Sequence, residues 1–422
     1  MSYPHIKNFY LLDFYQKIDW NSMTFFVVFD ERFMSKKLLF LVGDARYFLS
    51  HRQLLAKAAF KQGWEVALMT SHSSLQNLSL PPWLSVFPLQ HVHRGSFGLL
   101  QNVLALKEMK DVLADYHPNV LHSVGVKFIP FSTLLNVPKA LYDLGGLGYI
   151  FTSSEGSLKD RIKRSVLKNV IFNPFFARTF KNPKNQILIQ NPDDLQDLKK
   201  LFFWKKHWEQ VIHIIPGSGI DLSVFNVHPI PPKTPFVVSC VSRLLKDKGI
   251  TELVQAARLL KDLPLEIRLY GAVDPNNPSS LTEQKVQQWH QQKDIIFKGF
   301  ATDMNQVYQE THIAVLPSYR EGLPRSLLEA AGCGRPIITT DVPGCRQTVV
   351  PEITGWLIPA KDPEALAEQI RKSFLTAPQI LTDMGQKGRL FVQNYFSDTA
   401  IHHKILGLYS SSFTLLILQT FF

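Results

Sequence analysis

Apolar residues along the chain fall into short solid runs that alternate with longer stretches of helical periodicity. Residues 38–42, Leu-Leu-Phe-Leu-Val, form the first run and read as a strand buried on both faces. The chain then turns through Gly43, Asp44, Ala45 and Arg46, and an amphipathic helix is expected over 50–62, ended by Gly63, with a second strand over 65–70. The alternation continues with helices at 99–115 and 128–135 and strands at 120–123, 140–142, 186–190 and 211–215. Asp193 or Asp194 is placed to cap a helix after the strand at 186–190. Residues 226–235, NVHPIPPKTP, are proline-dense and predict a stiff linker. Beyond it the pattern repeats, with strands at 236–241, 265–270, 295–298, 313–316 and 336–339 and helices at 249–261, 281–291, 363–375 and 397–409. Strand followed by helix, twice over around a proline linker, predicts two doubly wound parallel sheets facing a crevice between their strand ends. The expected organisation is an extension of no clean period at 1–35, a first domain at 36–225, the linker at 226–235, a second domain at 236–400, and a helix with an apolar tail at 401–422.

The stretch from Leu316 to Val349 carries the densest chemistry. An apolar strand stops at Pro317, a polar loop runs from Ser318 to Gly322, and a helix follows with Pro324 in its first turn and Gly332 and Gly334 closing it. Glu321 lies in the loop and Glu329 about two turns along the helix. Two acceptor-only carboxylates at that separation suit hydroxyl pairs at two ends of one ligand, or simply a solvated surface. Arg243 and Lys248, in SRLLKDKG between a strand and a helix, can converge with that helix's N-terminus, with a solvated pair as the other reading. His122 ends a strand and points toward the mouth of the crevice if the sheet is parallel; a structural histidine is the other reading.

Composition narrows the classes. Hydrophobic and charged contents of 45% and 19% suit a globular protein of two domains at 422 residues. The first 225 residues hold 26 basic against 17 acidic side chains, and the remainder 20 against 18, so the excess positive charge sits in the first half. A basic half serves nucleic acid, an anionic membrane face or phosphorylated substrates, and no nucleic-acid-binding signature accompanies it. Residues 158–181 interleave lysine and arginine with an apolar stripe, which fits either a membrane interface or a helix packed on the sheet. Cys240, Cys333 and Cys345 form no CxxC pair, which predicts a reducing compartment and no cysteine metal site. No signal peptide is evident, and no apolar run approaches the roughly 20 residues that span a bilayer. The turn after the first strand lacks GxGxxG, so a dinucleotide site is not supported.

Five stretches together, EGLPRSLLEAAGCGRPIITTDVPGC from Glu321, SRLLKDKGITELVQAARLL from Ser242, GDARYFLSHR from Gly43, GLGY from Gly146 and PGSGID from Pro216, resemble the family 4 retaining glycosyltransferases. The likeness runs over roughly residues 36–410. It implies the GT-B architecture of two Rossmann-like domains, the first for the acceptor and the second for a nucleotide sugar. It implies a catalytic set of Arg243, Lys248, Glu321 and His122, with Arg243 and Lys248 on the diphosphate and Glu321 on the donor sugar. Glu329, Gly322, Leu323, Pro324, Gly217, Ser218, Gly219 and Gly271 become donor-binding residues, Glu329 through the ribose hydroxyls. Gly43, Asp44, Lys127, Gly146 and Gly148 become acceptor-binding ones. The chain departs from the family pattern at Val124, Gly125 and Val126 and at YGAVDPNNP from Tyr270. The resemblance further implies transfer with retention from a UDP-linked N-acetylhexosamine or hexose to a lipid-linked saccharide, in lipopolysaccharide, O-antigen or capsule synthesis. No metal or cofactor is expected, and the enzyme would sit peripherally at the cytoplasmic face of the plasma membrane. A sugar-nucleotide 2-epimerase of the same architecture and a non-catalytic glycan-binding relative are the alternatives.

Overall fold

The structure, a computed structural model, describes residues 36–92, 99–145, 173–179, 182–202, 211–275, 277 and 279–410. The expectations for residues 1–35, for the apolar tail, for Gly146 and Gly148 and for 158–172 of the basic segment fall outside these. All strands pair in parallel. β1 (Lys36–Val42), β2 (Trp64–Ser71), β3 (Leu84–Leu89), β4 (Val120–Val124), β5 (Lys139–Asp143), β6 (Gln186–Ile189) and β7 (Ile212–Ile214) make a sheet of order β3-β2-β1-β4-β5-β6-β7. β8 (Phe236–Val241), β9 (Leu265–Tyr270), β10 (Ile296–Gly299), β11 (Ile313–Leu316), β12 (Ile337–Thr340) and β13 (Gly355–Ile358) make a second, of order β10-β9-β8-β11-β12-β13. The order reverses direction between β1 and β4 in one sheet and between β8 and β11 in the other. The carboxyl ends of those strands are therefore the ligand-binding positions of each sheet. Central strands are apolar on both faces because helices cover both: β1 is fully buried from Leu38 through Leu41.

Three elements depart from the expected pattern. The turn after β1 is already helical: Asp44 caps a helix Ala45–His51 by accepting from Arg46 N, and a second helix, Gln53–Lys61, follows a break at Arg52. β3 contains Pro88, which broke the strand pattern in the sequence; it is tolerated because β3 is the edge of its sheet. A helix over Pro378–Phe396 was missed because Gly385 and Gly388 interrupt its period. Those two glycines are buried where this helix lies against the helix Arg325–Gly332 and the turn after it.

The chain crosses between the sheets twice at one place. Ile220 N donates to Phe396 O at 3.0 Å and Asp398 N to Ile220 O at 3.0 Å. The helix Asp398–Ser410 thereby returns to the first sheet, where Ile401, Ile405, Leu406 and Tyr409 join a core with Leu38, Phe40 and Leu68. The expected linker is pinned along its length. Arg335, fully buried, donates to the carbonyls of His228 and Pro229 at 2.7 and 3.0 Å. Arg389 donates to those of Leu222 and Phe225 at 2.9 and 2.6 Å. His312 accepts from Val237 N at 3.0 Å and reaches Pro232 O at 3.1 Å.

A Cβ at Gly385 would overlap the backbone carbonyl of Gly334, whereas a Cβ at Gly388 would meet only side-chain carbons at 3.7 and 3.8 Å. Helix propensity favours alanine over glycine by about 1 kcal/mol at both. Gly388→Ala is accordingly expected to leave stability unchanged or raise it by up to about 1 kcal/mol. Gly385→Ala should lower it by about 1–3 kcal/mol, because a backbone atom cannot rotate aside. Chemical denaturation of the two variants measures both signs.

Candidate functional site

The carboxyl edges of the two sheets enclose a cavity of about 150 Å³. Tyr47, His51 and Arg52, after β1, form one wall. Gly145 after β5, Gln190 after β6 and the turn Gly217, Ser218 and Gly219 after β7 complete the first sheet's share. The second sheet contributes Glu321, Gly322 and Leu323 from the loop after β11, and Arg325 and Leu328 from the helix behind it. Pro324 is that helix's N-cap rather than a residue of its first turn. The edges are tied directly. Asn191 Nδ2 donates to Gly322 O at 2.9 Å, Arg346 pairs with Asp193 at 2.7 Å, and Arg320 pairs with Asp194 and with Asp197, the latter at 2.9 Å. Asn191, not either aspartate, is the side chain that satisfies the start of its helix, accepting from Asp194 N at 2.8 Å. A Cβ at Gly322 would stand 2.7 Å from the backbone oxygen of Gly145, which cannot rotate aside, so glycine allows the two loops to approach this closely.

The predicted charged residues come together in pairs. Lys248 bonds Glu321, which also accepts from Ser318 Oγ at 2.8 Å. Lys248 and Glu321 are both largely buried, so each supplies the counter-charge the other needs. Arg325 Nε donates to Glu329 Oε1 at 2.7 Å, one helical turn apart, and its Nη1 crosses to Ser50 O on the first sheet's side. Burial pushes the Glu329 carboxyl above its ordinary range, opposed by Arg325. Arg243 stands at the rim, 56% exposed and 3.6 Å from Asp274. Gly271 backs onto the carbonyl of Ser242, beside Arg243. Lys248, Glu329 and Arg243 thus adjoin the cavity rather than line it.

Several assignments change place. His122 does not point into the mouth: it is fully buried, stacks on Phe40 at 5.0 Å, and shares a 2.6 Å hydrogen bond with the Tyr409 hydroxyl. Burial pushes its imidazole below the ordinary range, so it is neutral. Asp44 is engaged at 2.9 Å with Arg46 N as a cap and at 3.2 Å with the Arg46 side chain, and Gly43 packs on the Phe128 ring; neither lines the cavity. Lys127 lies in a helical turn, Val126–Phe128, and its side chain is outside the described residues. Conversely, Tyr47, His51, Arg52, Gln190, Arg325 and Leu328 line the cavity without having been singled out. Arg325 had a readable signal, an arginine four residues before a helical glutamate. Among the described residues no group of histidine, cysteine, aspartate or glutamate is arranged to hold a metal ion.

Two parallel-sheet domains with a charged cleft between their carboxyl edges define the GT-B architecture of glycosyltransferases. The sequence profile of the family "Glycosyl transferases group 1" matches residues 225–391. It is 30% identical over 178 residues to the capsular polysaccharide biosynthesis glycosyltransferase CapM of Staphylococcus aureus, which covers 42% of this chain and 46% of that one. It is 24% identical to the N,N'-diacetylbacillosaminyl-diphospho-undecaprenol alpha-1,3-N-acetylgalactosaminyltransferase of Campylobacter jejuni, over 68% of this chain and 74% of that one. The match thus spans about half the length of the first relative and three quarters of the second. Sucrose-phosphate synthase of Thermosynechococcus elongatus shares the fold with a TM-score of 0.73 and 21% identity, over 90% of this chain and 99% of that one. HepE of Anabaena, solved with UDP-glucose, does so with a TM-score of 0.64 and 17% identity, over 89% and 99%.

Below the cavity, Arg52 and Asp143 form a buried ion pair, at 1% and 5% side-chain exposure. Burial alone would raise the Asp143 carboxyl; the Arg52 charge, the neighbouring His122 and the Gly145 amide outweigh it and hold the group at about 2. A depressed carboxylate contributes stability that is present above its unfolded pKa, near 3.9, and lost as pH falls toward the folded value. Removing the arginine strands the carboxylate. Arg52→Met is expected to cost about 3–5 kcal/mol at pH 7, and Arg52→Met with Asp143→Asn to recover most of it. Urea titrations of the double-mutant cycle at pH 7 and pH 4 measure the coupling, which should be smaller at the lower pH.

Proposed function

We propose that this protein is a retaining glycosyltransferase that moves a sugar from a UDP-linked donor, an N-acetylhexosamine or a hexose, to a lipid-linked saccharide in surface polysaccharide synthesis. The observation that carries the reading is the joining of Lys248 to Glu321 across two loops at the second sheet's switch point, with the glycine turn 217–219 facing them. A nucleoside diphosphate leaving group needs positive charge where its C–O bond breaks. Arg243 at the rim and Lys248 below it are placed to supply that charge, and a bound diphosphate would compete with Glu321 for the lysine. Glu329, beside Arg325 on the helix that opens the site, is placed to accept from the hydroxyls of a ribose. Glu321 is already committed to Lys248 and Ser318, which suits holding a sugar hydroxyl rather than attacking carbon. On this reading the residues position the substrates and stabilise charge, and the departing phosphate takes the acceptor's proton.

The relatives' names supply the acceptor class: one acts on a diphospho-undecaprenol sugar. A lipid-linked acceptor places the work at a membrane face, and the positive first half of the chain suits an anionic one. No helix among the described residues is long and apolar enough to cross a bilayer, so association would be peripheral. The cytoplasmic leaflet is the side that supplies nucleotide sugars and fits the three reduced cysteines.

A panel of UDP-sugars at one common concentration should raise apparent stability most for the true donor, by about 2.7 kcal/mol where that concentration is about 100 times its Kd. With that donor and a short-chain lipid diphosphate carrying N-acetylglucosamine, UDP release should fall at least about 100-fold in Lys248→Ala and in Glu329→Ala. Undiminished release by Glu329→Ala would remove the assignment of this cleft.

A further inference from the structure

We propose that Tyr47, His51 and Gln190 form the seat of the acceptor's terminal sugar, and that this seat takes an uncharged pyranose. The inference deepens the glycosyl-transfer reading and rests on it. Tyr47 and His51 are one turn apart on the helix Ala45–His51, and their rings stack with centroids 4.2 Å apart and planes within 5°. Each ring limits the other's rotamers, so the flat surface exists before a ligand arrives and little side-chain freedom is lost on binding. A pyranose offers the matching partner, an apolar face of C–H groups ringed by hydroxyls.

The polar groups around this surface are unspent. His51 Nδ1 is 2.7 Å from Ser50 Oγ, but its Nε2 bonds no described residue. The Tyr47 hydroxyl and the Gln190 side-chain amide likewise have no hydrogen-bond partner among the described residues, and all three side chains line the cavity. Gln190 is only 8% exposed. Its amide opens on the cavity, where water or a ligand can reach it. Phenol, imidazole and carboxamide together offer both donors and acceptors, which is what vicinal hydroxyls require.

Charge selects the class of sugar. Each cation at the cavity is already matched: Arg52 by Asp143, Arg325 by Glu329 and Lys248 by Glu321. His51 stays neutral, held down to about 3 by burial and by the charges of Arg52 and Arg325. A uronate or a phosphorylated sugar would enter without a free counter-charge. A neutral hexose or N-acetylhexosamine loses nothing by that. The three side chains all follow strands of the first sheet and face the loop Glu321–Leu323 across the cavity, with Arg325, bonded to Ser50 O, standing between them and Glu329.

Saturation-transfer NMR with methyl galactoside, methyl N-acetylglucosaminide and methyl glucuronide, in the presence of UDP, tests this on the full chain. At least one neutral glycoside should receive saturation and the glucuronide should not. Tyr47→Ala should weaken the neutral glycoside about tenfold and Tyr47→Phe about two- to threefold, since the phenyl ring keeps the stacking surface. UDP affinity, read by calorimetry, should stay within about twofold in both variants, because the two sites adjoin without sharing these contacts. An unfolding midpoint near wild type confirms that each variant is folded, and Tyr47→Phe serves if Tyr47→Ala is not. UDP binding without any neutral glycoside, preferential binding of the glucuronide, or a Tyr47 variant that shifts UDP and not the glycoside would each overturn the seat while leaving the nucleotide site standing. Failure of UDP to bind at all would instead strike the glycosyl-transfer reading beneath it.

Discussion

Parallel pairing is the constraint from which the site follows. In a parallel sheet every strand ends on the same edge, so the loops that leave those ends are gathered together whatever their separation in sequence. Here two such edges face each other, and residues as distant as Tyr47, Gln190, Gly217 and Glu321 line one cavity of about 150 Å³. The mutual approach depends on direct ties between the edges: the Asn191 bond to the Gly322 carbonyl and the arginine pairs with Asp193, Asp194 and Asp197. The crossing at Ile220 and Ser397 then makes the second sheet's end a support of the first, through Tyr409 and its neighbours.

The cleft is internally neutral. Lys248 with Glu321, Arg325 with Glu329 and Arg52 with Asp143 each bury opposite charges side by side. The alternative, a set of unpaired buried cations awaiting phosphate, would cost several kcal/mol per ion in the empty protein. Pairing removes that cost and leaves carboxylates that a ligand's own charge can replace. Arg243, more than half exposed, stays in water, where an unsatisfied cation is tolerated. The arrangement leaves Arg243 open at the rim, while each cation within is held by a carboxylate.

Much of this was legible in the sequence because it depended on local pattern. The apolar runs at 38–42, 236–241 and 313–316 became central strands, and the loop carrying Glu321 and Gly322 lay where the strand-to-helix pattern put it. What escaped depended on partners distant in sequence. His122 reads as a cleft residue by its place at a strand end, but Tyr409, 287 residues later, caps it from a helix whose docking no local pattern announces. Gln190 carries no motif, Tyr47 is one of ten residues in GDARYFLSHR, and the two reach one chamber only because the sheets bring them there. The helix Pro378–Phe396 was hidden by Gly385, a residue that lowers helix propensity and yet is required by the backbone it touches.

Two arginines at the linker, Arg335 buried and Arg389 partly so, extend the same reasoning to motion. They donate to the carbonyls of Leu222, Phe225, His228 and Pro229, at the start of a stretch whose prolines at 229, 231 and 232 cannot supply backbone donors of their own. Burial lowers Arg335 to about 10, so the guanidinium remains charged at neutral pH while two of its nitrogens go unbonded. Arg335 thereby fixes the linker to the turn after the helix Arg325–Gly332, and Arg389, on the helix Pro378–Phe396, also donates to Gly332 O at 2.6 Å, at the end of the helix that carries Arg325 and Glu329. Any rotation of one sheet against the other must therefore leave that helix, its linker and its half of the cleft as one body. The contacts freest to break are the partly exposed ones at the cavity's own edge, Asp193 with Arg346 and Asp197 with Arg320, whereas Asp194 is buried against Arg320. Solvent-accessible ion pairs re-form readily, whereas a buried arginine torn from its carbonyls would be left with neither water nor acceptor. The energetic asymmetry places flexibility at the mouth of the cleft and rigidity at its hinge.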